Sequence, residues 1–88
     1  MPQSERSQII KDMLRWCLAY EKLNGKGPKY RNIISHVRRE ISEMGANIRT
    51  IKGYIRACQD EGLLGPIDSL NRIVVTQTGK NWLEKKVS

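Results

Sequence analysis

Apolar positions along this chain fall into helical periods, broken by one short β-type region before the C-terminus. Ile48, Ile51, Ile55 and Cys58 recur at steps of three, four and three, the period of one buried helical stripe. They predict a helix over about 47–61. Asn47 is placed to cap it by accepting backbone N–H bonds, and Gly62 suits the left-handed position past its end. Upstream, Ile9, Met13, Trp16, Tyr20 and Leu23, with Cys17 beside them, predict a first helix over about 4–23. A second seam on it, Ile10, Leu14 and Leu18, widens the apolar band beyond the roughly 100° that one packing partner requires. Two coverings are open for that seam: the last helix of the same chain, or a second copy in a homodimer.

Between these helices the pattern predicts another over about 30–44, with Ile34, Val37 and Ile41 inward and Ile33 and Met44 in support. Tyr30 stands at its start, where Ser, Thr or Asp would cap better. His36 lies off the apolar stripe, either solvated or touching a phosphate. Asn24 to Pro28 stops the first helix, with Gly25 suited to the left-handed end and Pro28 resisting continuation. Gly25-Lys26-Gly27 lacks the spacing and the Lys-Ser/Thr of a phosphate-binding P-loop, so a flexible basic loop is expected. Gly45 and Ala46 turn the chain into the third helix. Beyond Gly62, Leu63-Leu64 and Ile73-Val74-Val75 flank a turn-rich Asp68 to Arg72, which predicts a short hairpin over about 63–76. Thr76 then caps a last helix over about 77–86 that buries Leu83 and Trp82. The expected architecture is one domain over residues 1–88, mainly α with a small β-hairpin.

Charge placement adds to this picture. The net charge is +7, from 16 basic and 9 acidic residues. Lys22 to Arg56 holds nine basic and two acidic residues, whereas residues 1–21 hold three of each sign and residues 57–88 four of each. The whole excess therefore sits on one central segment, as expected for a polyanion-binding surface. On the third helix, the side opposite the apolar stripe carries Arg49, Thr50, Gly53, Arg56 and Ala57, with Lys52 at its edge and no carboxylate before Asp60. Gly53 is either a tolerated exposed glycine or a point where two surfaces come close.

Other chemistries find little support. A single histidine, no convergent carboxylate pair, no nucleophile with a local base and no cofactor loop argue against an enzyme. No metal, cofactor or small-molecule ligand is expected. Cys17 and Cys58 lie on the apolar faces of two helices; they are read as reduced core thiols, with a bridge between them left open. Neither a signal peptide nor a membrane span is evident, so a cytoplasmic or nucleoid-associated location is expected.

Local motifs add a resemblance. Thr50-Ile51, followed after an interval by Glu61-Gly62-Leu63-Leu64, resembles the recognition helix and following strand of winged helix-turn-helix proteins. Val75-Thr76-Gln77-Thr78-Gly79-Lys80-Asn81-Trp82-Leu83 is similar to their exit from the wing into the last helix. Gly27-Pro28-Lys29-Tyr30-Arg31 resembles the loop before the second helix of the bacterial SOS-repressor DNA-binding domain. The resemblance implies a three-helix core, a short wing and a C-terminal helix, with the third helix in the major groove of double-stranded DNA. It implies helix contacts from Asn47, Arg49, Thr50, Lys52, Gly53 and Arg56, backbone contacts from Lys26, Lys29, Arg31 and Arg38, and a wing contact from Arg72. Two departures stand out: a longer second helix and turn than in the SOS repressor, and a wing with a single positive charge. The expected function is a small transcriptional regulator acting by site occupancy, as a homodimer through Ile10, Leu14 and Leu18. The alternative is a winged-helix protein–protein adaptor or an architectural subunit of a nucleoprotein assembly.

Overall fold

A computed structural model describes the backbone over residues 2–40 and 48–87, and side chains over 7–40 and 48–85. Four helices follow one another: α1 (Pro2–Asn24), α2 (Tyr30–Glu40), α3 (Ile48–Asp60) and α4 (Gln77–Val87). The described chain is thus mainly α. Ile41, Met44, Gly45, Ala46 and Asn47, expected in core, turn and capping roles, lie outside the described residues.

The core is built where these helices meet. Met13, Leu14 and Cys17 of α1, Ile33 and Val37 of α2, and Ile51, Ile55 and Cys58 of α3 are all buried. Ile73, Val75 and Leu83 complete it from the C-terminal third. The second seam of α1 is part of this interior. Ile10 and Leu14 are buried and Leu18 is half-buried against the same cluster, while α1 packs on both α2 and α4. The homodimer reading of that seam is therefore corrected: this chain's own core covers it. Leu23, expected inward, is 86% exposed in the last turn of α1. Ile48 is likewise exposed, at the first residue of α3. On α2 the buried line runs through Ile33 and Val37, with Ile34 half-buried, a rotation of about one residue from the expected stripe.

Helix ends carry the sequence signals that place them. The α3 terminus closes with two bonds, Leu63 N–H to Cys58 O at 2.8 Å and Gly62 N–H to Gln59 O at 3.1 Å. This is the Schellman pattern, and it needs the left-handed backbone that Gly62 supplies at φ 79°. At the start of α4 the Thr76 hydroxyl accepts the Gly79 N–H at 2.9 Å and points its own hydrogen at the carbonyls of Gly62 and Leu63. One side chain thereby ties the beginning of α4 to the end of α3. Gly79 permits that closeness, since a Cβ there would lie 2.2 Å from the Leu63 carbonyl oxygen. The weak capping residue at Tyr30 is compensated through the backbone: its N–H donates to Asn71 O at 2.8 Å.

Among the described residues the expected hairpin does not form as strands. The segment 63–76 turns back as an arm closed by an isolated antiparallel bridge, Leu64 with Val75, and a second bridge joins Lys29 with Arg72. Gly65 and Pro66 limit the ladder after the first bridge, because proline has no N–H to donate. At the arm's tip the Asp68 carboxylate accepts the N–H groups of Leu70 and Arg72 at 2.8 and 2.9 Å. Asn71 adopts φ 62°, a conformation asparagine tolerates better than most residues.

Candidate functional site

The outward side of α3 presents positive charge without a partner among the described residues. Arg49, Thr50, Gly53 and Arg56 are exposed on the side away from the fully buried Ile51, Ile55 and Cys58, with Lys52 exposed at its edge. The 3.6-residue period forces this division: residues that alternate with the apolar stripe must face the other way. Among the described residues the side chains of Arg49, Lys52 and Arg56 make no hydrogen bond or ion pair. A Cβ built at Gly53 meets nothing within 4 Å, so the middle of the face is open space.

Beside it runs an open groove of about 460 Å³, lined by Lys52, Gly53, Arg56, Gln59 and Asp60 of α3, Tyr30 of α2 and Ile67 of the arm. Gln59 fixes one wall: its Nε2–H donates to Gly65 O at 3.1 Å, holding the arm against the last turn of α3. The structure thus brings Lys52, Gly53 and Arg56 together in one concavity. Arg31 and Arg38 are exposed on α2, one heptad apart and so on one side of that helix, but neither lines the groove. Asn47 lies outside the described residues. Tyr30, Gln59, Asp60 and Ile67 complete the groove without having been assigned to it from sequence. For Gln59 and Asp60 the signal was available, since steps of three and four from Arg56 reach both; for Ile67 it was not, because the arm has no periodic pattern.

Three expectations around this site are corrected. The loop before α2 is not free along its whole length: Lys26 and Lys29 are exposed, but Gly27 is buried, and a Cβ there would lie 2.2 Å from Ile73 O. Arg72 is half-buried and turned back, its Nη1–H donating to Gly27 O at 2.8 Å, so it braces the arm against that loop instead of projecting from a tip. The arm exposes apolar side chains, with Leu70 at 65% exposure and Ile67 and Val74 also exposed, beside the polar Asp68, Ser69 and Asn71. His36 is not a solvated surface residue. It is buried, stacked on Trp16 with ring centroids 4.6 Å apart and planes 9° from parallel, and its Nε2 lies 3.1 Å from Asp12 Oδ2. Its contacts join α2 to α1.

Cys17 and Cys58 are buried and are not joined by a disulfide. Burial foremost, then Cys58 and Glu21 nearby, pushes the Cys17 thiol up to about 12, which keeps it protonated and unreactive at neutral pH. Among the described residues no group of three His, Cys, Asp or Glu side chains gathers as a metal site would require. No helix among them is long and apolar enough to cross a membrane.

The chain matches no family model, no curated protein and no solved structure. The functional reading therefore rests on the site itself.

Proposed function

We propose that this chain binds double-stranded DNA in a sequence-specific manner, with the outward side of α3 lying in the major groove. The observation that carries the reading is the exposed row of Arg49, Lys52 and Arg56, unpartnered among the described residues, around the open position at Gly53. Phosphates offer such cations counterion-release affinity, and arginine can fork onto guanine O6 and N7 for about 1–3 kcal/mol of discrimination per pair. A glycine at the centre lets the helix backbone approach the base edges. Arg31, Arg38, Lys26 and Lys29 supply further exposed cations able to meet phosphates. The order of elements, with the segment around Lys29 beside Arg72 and Val75 beside Leu64, is compatible with a winged helix-turn-helix whose wing is short. In this reading the protein acts as a regulator that occupies its site. The reading does not require a homodimer, whose expected seam is buried.

The adaptor alternative has one observation in its favour. The arm exposes the apolar Ile67, Leu70 and Val74 beside Asp68, Ser69 and Asn71, and residues 61–71 contain no lysine or arginine, so that stretch offers no cation to a phosphate. A protein partner would accept that surface more readily than a nucleic acid. Reversing charge on the helix separates the two. Arg49→Glu with Arg56→Glu leaves the melting temperature within a few degrees, because both side chains are exposed, and lowers affinity for duplex DNA at least ~100-fold. Unchanged affinity in the folded double variant removes α3 as the contact surface.

A further inference from the structure

Asp60 is out of place on a phosphate-binding surface. It follows Lys52 and Arg56 at steps of four along α3, lines the same groove, and is exposed. At a helical rise of 1.5 Å per residue, it lies roughly 6 Å beyond Arg56 along the axis. Two physical effects oppose a carboxylate there. The C-terminal end of a helix carries partial negative charge and disfavours an anion, and no basic residue in the last turn of α3 offsets it. A duplex held by Lys52 and Arg56 would also bring its own negative charge towards Asp60. Nor does the fold employ the side chain. Among the described residues Asp60 makes no ion pair or hydrogen bond, even with Arg56 one turn away, where the arginine-first order is the weaker arrangement of such a pair. Its neighbour Gln59 is the residue that anchors the arm.

A carboxylate is an acceptor without a donor of its own. On a duplex, the groups that satisfy it are the exocyclic amines of base edges, and cytosine N4 is its usual major-groove partner. We propose that Asp60 is a specificity-determining residue, whose carboxylate accepts a hydrogen bond from the N4 amino group of a cytosine lying in the groove between α3 and the arm. The inference rests on the DNA-binding reading above and adds to it the base read by the far end of the helix. It also gives the mixed charge of the groove a purpose. The two cations hold the strand, while the anion rejects any register that places a phosphate or a guanine O6 or N7 acceptor against it.

The test is selection from a randomised duplex pool with the wild type, Asp60→Asn and Asp60→Ala, followed by anisotropy titrations on the selected duplex and on single-base replacements. The wild type is expected to fix one cytosine whose replacement weakens binding about 5- to 10-fold, the low end of what a good base contact gives. Asp60→Ala should lose the preference at that position alone. Asp60→Asn should shift it towards adenine, whose N6 and N7 suit an amide. Both variants should melt at or above the wild-type temperature. If both bind every duplex more tightly by one common factor with an unchanged consensus, Asp60 only repels phosphate and the proposal is overturned. Duplex binding by the wild type with no base preference overturns it as well, while leaving α3 as a non-specific contact surface. No binding of the wild type to any duplex at low salt removes the DNA reading and this inference together.

Discussion

α1 and α3 are both amphipathic, yet they dispose of their charges in opposite ways. On α1 one charged side chain is matched within the molecule: Asp12 meets His36 at 3.1 Å, and His36 is stacked on Trp16 one turn further along, while Glu21 keeps a buried Oε2 without a partner among the described residues. Residues 1–21 hold equal numbers of basic and acidic side chains, so little charge is left over. On α3 the cations Arg49, Lys52 and Arg56 have no partner among the described residues and surround an empty centre. A charge consumed by the fold contributes to packing. One held out without a counter-charge contributes nothing to folding and suits a partner from outside.

The contrast breaks first at α1, where the expected effect is largest. Leu14 is wholly buried, so Leu14→Lys sets an unpaired ammonium in the core and should cost at least about 4 kcal/mol, much of what holds a domain of this size together. Circular dichroism should show a largely unfolded chain. A folded monomer with a normal melt would mean that the seam faces outward after all. The next effect lies where the end of α3 meets α4. Gly79→Ala pushes a methyl against the Leu63 carbonyl and Val75, and overpacking of this kind costs about 1–3 kcal/mol, read as a lower denaturant midpoint. An unchanged midpoint would show that α4 can draw away from the arm without loss.

Much of this was legible in the chain, and the exceptions are instructive. Ile51, Ile55 and Cys58 were placed inside by period alone, and the period also fixed which side of α3 faces out. Gly62 and Thr76 announced helix ends through local chemistry, which needs no knowledge of the remote fold. His36 could not be read this way. Its burial depends on Asp12 and Trp16, 24 and 20 positions upstream, and a polar residue off the apolar stripe gives no sign of such a partner. Arg72 was misjudged for the same reason, since Gly27 O is 45 positions away in sequence. The two regular strands expected around the arm reduce to single bridges, because Gly65-Pro66 leaves too short a run to extend a ladder. The groove wall at Ile67 comes from how the arm lies on α3, which no local pattern encodes.

The smallest effect sharpens the comparison most. Gly53→Ala adds a methyl in open space on a helix and should stabilise the fold by up to about 1 kcal/mol. On the proposed reading the same methyl weakens duplex binding, because it holds the helix away from the base edges. Stability and affinity would then move in opposite directions, measured by a thermal melt and a binding titration on one sample. If both improve, the open position is an ordinary exposed glycine.

The measurement that bears most directly on the central claim is the salt dependence of binding to duplex DNA. With about five phosphates neutralised by the exposed cations, log K should fall against log[salt] with a slope of about −4 to −5. A flat response, or no binding at low salt, would contradict the assignment of α3 as a DNA-reading surface and favour a protein partner.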